Sequence, residues 1–221
     1  MDNKKKILIF VLIIASCIVM AMVETIIEPA YVIKSVIKAV VFLLLPLAVL
    51  KAFRIDLTAN SFVLGRKSAI GLFFLGIFIY LFILGAYALT RNLFDYSSLI
   101  ISLSEDQQVD SRSFLWVALY ISFCNSFLEE FLFRLVSFIR LSAYASRKTA
   151  YLFSSIAFAI YHVAMIGPSF PWQLLILALI GLTVGGLIFD FIDEKCGNIY
   201  PSWVVHMFAD FALMTIWYMH I

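Results

Sequence analysis

Apolar residues recur in long blocks along this chain, broken by short polar and charged stretches. The blocks fall at roughly 7–23, 31–53, 69–89, 114–139, 151–166, 172–191 and 200–221. About 20 apolar residues carry a helix across a bilayer, so most of these lengths predict a membrane span, the block at 151–166 being short. Lys34 and Lys38 interrupt the second block and blur where that span begins. Residues 92–113 are polar enough for a loop, with Leu99, Ile100 and Ile101 suited to the membrane interface. No internal repeat or low-complexity tract is visible.

Composition strengthens this pattern. Of the 221 residues, 64% are hydrophobic, against roughly 45–50% in soluble domains. The prediction is an all-α fold, a polytopic membrane helical bundle of about seven transmembrane helices, with one membrane domain over 1–221 and no soluble domain. Net charge is only +2, and no basic surface could track phosphates, so the expected surroundings are a lipid bilayer and no nucleic acid. Cys17, Cys124 and Cys196 share no metal-type spacing and suggest no disulfide framework. Gly181, Gly185 and Gly186 fit close helix packing in the sixth span.

Loop charges orient the chain. Lys4, Lys5 and Lys6 precede the first span, Lys51, Arg54, Arg66 and Lys67 follow the second, and Arg140, Arg147 and Lys148 follow the fourth. The alternate loops carry Glu24 and Glu28, then Glu105, Asp106 and Asp110, with only Arg91 and Arg112 basic. Lys and Arg favour the cytoplasmic side, which predicts a cytoplasmic N-terminus, an outside C-terminus, and an inside loop around Asp193, Glu194 and Lys195. Short loops and compact size suit a prokaryotic plasma membrane. A second reading touches the first span: three lysines, an apolar run and then Ile14, Ala15, Ser16 and Cys17 resemble a lipoprotein processing site. The continuation of the apolar run to Val23 favours an uncleaved helix.

Charges inside the spans carry the chemistry. Glu129, Glu130 and Arg134 fall within the fourth block. Each charge near a helix centre costs about 2.5–3.5 kcal/mol on insertion scales, so pairing or water must offset it. Glu130 and Arg134 stand four apart and can pair, whereas Glu129 is rotated about 100° away, with Asn125 on its own face. His162 lies in the fifth block; His206 and Asp210 stand four apart in the seventh, where a carboxylate can orient an imidazole and favour its charged form. A structural ion-pair cluster and an interhelical hydrogen-bond staple are the bland readings of these groups. With Arg140 and Lys148 as cytoplasmic markers, Glu129 sits about 15 Å up its helix, His162 about 20 Å up the next, and His206 about 10 Å along the last. Three helices can then present them to one cavity, expected in the cytoplasmic half. Two carboxylates, two histidines, an arginine and an aspartate fit an acid–base hydrolysis site.

These residues resemble the three motifs of the CPBP family, which includes type II CAAX prenyl endopeptidases and bacterial proteins linked to bacteriocin processing or immunity. Glu-Glu-x-x-x-Arg matches Glu129, Glu130 and Arg134; Phe-x-x-x-His matches Phe158 and His162; His-x-x-x-Asn/Asp matches His206 and Asp210. The motifs occur in family order within about 115–215. The resemblance implies glutamate-type peptide hydrolysis, with Glu129 and His162 activating a water, His206 and Asp210 facing the oxyanion, and Glu130 and Arg134 ordering the site or engaging substrate. Many members have Asn at the last position, which can donate a hydrogen bond; an ionised Asp210 cannot, so Asp210 is read as holding His206 while His206 donates. The resemblance favours a site without cofactor or metal, though Glu129, His162, His206 and Asp210 could also ligate zinc.

The leading function is an intramembrane endopeptidase acting on a peptide or protein substrate near the cytoplasmic face: a prenylated CAAX-type tail, a peptide pheromone or a membrane-protein segment. The alternative is a non-catalytic bacteriocin immunity protein or membrane scaffold, which need not keep both carboxylates and both histidines. An ion-coupled transporter would show broken helices and repeated halves, and neither is evident.

Overall fold

The computed structural model describes residues 2–57, 66–106, 112–167 and 170–220. The chain is all-α. Helix α1 runs Asp2–Ile27, α2 Tyr31–Ala52, α3 Arg66–Thr90, α4 Tyr96–Asp106, α5 Phe114–Arg140, α6 Arg147–Ile166, α7 Trp172–Cys196 and α8 Tyr200–Tyr218. Among the described residues, α1, α2, α3, α5, α6 and α7 hold six stretches long and apolar enough to cross a membrane.

Helix ends follow local chemistry. Glu28 takes left-handed backbone (φ 45°) and its N–H bonds the Val23 carbonyl at 3.0 Å, closing α1 just before Pro29. Within α2 the turn Val40–Leu44 widens to π geometry immediately ahead of Pro46, which has no N–H for the preceding turn. Ser146 caps α6 by accepting from the Thr149 N–H, so this helix starts before the apolar block and reaches 20 residues, long enough to span. Gly197, at φ 71°, ends α7.

Four expectations change. The 92–113 stretch is not a simple loop, because Tyr96–Asp106 is helical. The 200–221 block does form helix α8, but α8 is not among the six apolar spans: Pro201, Ser202, His206 and Asp210 dilute its hydropathy. The charged loop at 193–195 is instead the last turn of α7, with Asp193 fully buried. Of the three glycines, only Gly186 makes a close approach: a Cβ there would meet Ser155 Cα at 3.0 Å, while Gly181 and Gly185 have nothing within 4 Å. Asp110, one of the acidic orientation markers, lies outside the described residues.

Two compact units divide the chain, Met1–Val63 with Leu128–Ser202, and Leu64–Phe127 with Trp203–Ile221. In the first, α1 turns Ile9, Leu12, Ile13, Ser16 and Met20 inward and leaves Ile7, Val11, Ile14 and Ile18 exposed, as lipid contact requires. Cys17 lies inside this unbroken helix. Opposed to it are the buried residues 131–138 of α5 and helix α6, which in turn meets α7 at Gly186. In the second unit, Ile100, Phe114, Ala118, Met214, Ile216 and Trp217 form the core. Trp217 donates to Ser104 Oγ at 2.8 Å, and His220 is satisfied by Tyr87 and Ser97 at 2.7 and 3.0 Å, which accounts for the third histidine without chemistry.

Candidate active site

In the first unit, the middle of α5 delivers three charges to the protein interior. Glu129 is 1% exposed, and Glu130 and Arg134 are 0% exposed. Arg134 Nε lies 3.3 Å from Glu130 Oε2, the expected i,i+4 pair, and its Nη1 lies 3.7 Å from Asp190 Oδ1 on α7. Ser154 on α6 ties the three helices together: it accepts from Arg134 Nη1 at 3.0 Å, and its hydroxyl lies 2.8 Å from the Phe133 carbonyl and 3.0 Å from Asp190 Oδ1. Ser155 donates to Asp190 Oδ2 at 3.1 Å. One turn of α7 separates Gly186 from Asp190, so the close approach at the glycine sets the distance at which Asp190 reaches both serines. Near the end of α7, Asp193 accepts from the Ser202 N–H at 3.0 Å and from its hydroxyl at 2.7 Å, capping the first turn of α8.

Glu129 is surrounded differently. Its Oε1 accepts from Lys38 Nζ on α2 at 2.6 Å, and its Oε2 lies 3.6 Å from His162 Nε2 on α6. His162 Nδ1 lies 2.8 Å from the Phe158 carbonyl. A carbonyl only accepts, so Nδ1 carries the ring hydrogen and Nε2 of the neutral ring is left as an acceptor toward Glu129. The Phe158 ring packs edge-on to His162, centroids 4.6 Å apart, and the Arg134 guanidinium lies 4.6 Å from the centre of the same ring. Phe158 therefore links the buried arginine of α5 to the histidine of α6 and sets that histidine's tautomer.

Depth differs from expectation. One end of this unit gathers the basic groups: Lys5 donates to the Arg54 carbonyl at 3.1 Å, Arg140 to the Asp56 carbonyl at 2.9 Å, and Arg147 makes two 2.7 Å contacts with Glu194. From Arg147, α6 rises about 22 Å to His162, with only about 6 Å left to Ile166. From Tyr31, at the other end, α2 reaches Lys38 in about 10 Å. The Lys38–Glu129–His162 cluster thus lies in the half away from the basic end, not in the half beside it. The rise of about 15 Å from Arg140 leads to the expectation of a cavity in the cytoplasmic half; the partners of Glu129 put the cluster on the other side.

His206 and Asp210 stand on α8 in the second unit, both largely buried, with His206 Nε2 and Asp210 Oδ1 3.7 Å apart. This is ion-pair spacing and longer than a hydrogen bond. Asn125 also belongs to the second unit. Among the described residues no group of three His, Cys, Asp or Glu side chains is gathered as a metal would require.

Sequence reasoning does not single out Lys38, Asp190, Asp193, Ser154 or Ser155, which the structure places in this buried polar network. Lys38 carries a signal, a lysine inside an apolar block, but in sequence that signal is indistinguishable from a blurred helix start. Asp190 is an acid within the sixth block and carries the same kind of signal as Glu129. The serines have no distinguishing pattern.

Residues 111–212 match the family model described as Type II CAAX prenyl endopeptidase Rce1-like. That segment contains Glu129, Glu130, Arg134, Phe158, His162, His206 and Asp210, and it excludes Lys38. No curated protein and no solved structure matches the chain.

Proposed function

We propose that this chain, whose residues 111–212 match the family of Rce1-like type II CAAX prenyl endopeptidases, is an intramembrane endopeptidase whose attacking water is activated by Glu129 and His162. The observation that carries this reading is the 3.6 Å between Glu129 Oε2 and His162 Nε2. Both atoms accept hydrogen bonds in the tautomer that the Phe158 carbonyl favours. A water donating one hydrogen to each would be held with its lone pair free to attack.

The oxygen of that water adds to the scissile carbonyl carbon, and Glu129 takes its proton. Collapse of the tetrahedral intermediate breaks the C–N bond as the proton passes to the leaving amine. By its place in the third motif His206 takes the oxyanion-facing role as donor, and Asp210 holds its ring. Glu130 and Arg134, wholly enclosed and tied to Asp190 and Ser154, order the site rather than touch substrate. The reaction as proposed needs no metal. The substrate is a peptide or a membrane-protein segment, with a prenylated CAAX-type tail as the form the family's description suggests. With the basic end cytoplasmic, the scissile bond is met in the outer half of the bilayer.

The test is cleavage by purified protein in detergent or nanodiscs, using prenylated and unmodified peptides with and without a chelator. Cleavage that survives the chelator and disappears in Glu129→Gln and in His162→Ala supports the reading. No cleavage of any peptide, with wild-type protein that is folded, turns the assignment to a binding or immunity role.

A further inference from the structure

Lys38 contributes a buried cation to a site otherwise supplied by α5 and α6. It is 4% exposed, and its Nζ stands 2.6 Å from Glu129 Oε1. The ammonium also lies 5.3 Å from the centre of the Phe42 ring and 5.0 Å from that of Tyr161. Those rings pack on each other, with centroids 5.1 Å apart, and Tyr161 packs on His162 at 5.2 Å. The lysine is thus held by aromatic faces on one side and the carboxylate on the other. One turn earlier on the same face of α2, Lys34 makes a separate pair with Glu24 at 3.0 Å.

We propose that Lys38 is a positioning residue for Glu129: its ammonium fixes Oε1 and thereby aims Oε2 at His162 and the attacking water. This rests on the glutamate reading above. The physical case has two parts. A carboxylate turns about its last side-chain bond with little hindrance, so clamping one oxygen orients the other. An ionised carboxylate this deep also needs a counter-charge, and Arg134 is engaged with Glu130 and Asp190. The working site therefore extends beyond residues 111–212 to include α2. Lys34, paired with Glu24 instead, provides a control on the same helix.

The experiment compares Lys38→Met, Lys38→Arg and Lys34→Met with wild type in steady-state cleavage of one peptide substrate. It adds a thermal-stability cycle of Lys38→Met, Glu129→Gln and the double variant. Methionine keeps most of the stem and removes the charge. Lys38→Met is expected to lower kcat about 100-fold, the scale of a general acid–base contribution, with KM changed less than about threefold. Lys38→Arg should recover part of kcat, and Lys34→Met should keep it. In the stability cycle the second substitution should cost less in the presence of the first. Wild-type kcat in folded Lys38→Met, or a change in KM alone, overturns the positioning role. Additive Tm shifts overturn the pairing itself, whatever activity does. If Lys38→Met does not fold, Lys38→Gln replaces it under the same criteria. Absence of cleavage by wild type overturns the peptidase reading and with it the role in catalysis, while coupling in the cycle separately establishes the pair.

Discussion

Glu129 and Glu130 are adjacent in sequence, equally buried, and surrounded by different chemistry. Glu130 faces Arg134, which also reaches Asp190 and Ser154. Glu129 faces Lys38 and His162. Glu130→Gln should therefore destabilise the protein, by about 3 kcal/mol if it behaves as a broken buried pair, read as a lowered Tm in detergent. Glu129→Gln should abolish cleavage while the protein still purifies as a folded species; full activity in that variant would remove Glu129 as the base. Asp210 separates two mechanisms. Asp210→Asn should retain appreciable activity if the residue orients His206 or lies by the oxyanion, since Asn can both accept and donate. Elemental analysis of the same preparations checks the metal-free reading: stoichiometric zinc in wild type, lost together with activity in Asp210→Asn, would replace it with a metallopeptidase.

At the scale of elements, α5, α6 and α7 act as a polar clamp within apolar helices. Gly186 allows α7 to meet α6 at Ser155, and Asp190 then reaches Ser154 and Ser155 one turn away. A side chain at 186 would push against Ser155 backbone and Cβ at 3.0–3.1 Å, contacts that cannot rotate aside. Gly186→Leu should cost about 1–3 kcal/mol by overpacking and should lower activity by moving Asp190 off its serines. At Gly181 an added Cβ meets nothing within 4 Å, and Gly181→Leu should leave Tm close to wild type. Equal Tm loss in both variants would show that the α6–α7 contact is not the determinant.

For the whole molecule, the basic groups of the loops and the Lys38–Glu129–His162 cluster lie toward opposite ends of the first unit. Reporter fusions at Lys148 and after His220 should give opposite signals, cytoplasmic and outside respectively. The same location for both would break the seven-crossing topology, in which α8 must cross despite its lower hydropathy. In whole cells, a peptide substrate that cannot permeate should be cleaved when added outside, because the Lys38–Glu129–His162 cluster lies in the half away from the basic end. Cleavage only after permeabilisation would reverse the proposed orientation.

Helical class, approximate spans and the candidate site residues were legible in the sequence alone. In a bilayer every backbone group must be satisfied within its own segment, so apolar blocks of this length have only the helix available. A charge within such a block is costly enough to mark itself, which is why Glu129, Glu130, Arg134, His162, His206 and Asp210 were legible. Helix facing was not, because a lipid-exposed helix is apolar on both sides and its hydropathy carries little phase: α1 buries Ile13 and exposes Ile14 with no difference in residue type. Partners distant in the chain were equally hidden. Spacing pairs Glu130 with Arg134, four residues apart, but it cannot bring Lys38 to Glu129 across 91 residues. Only the packing of α2 against α5 and α6 selected that contact, and with it the end of the unit on which the cluster sits.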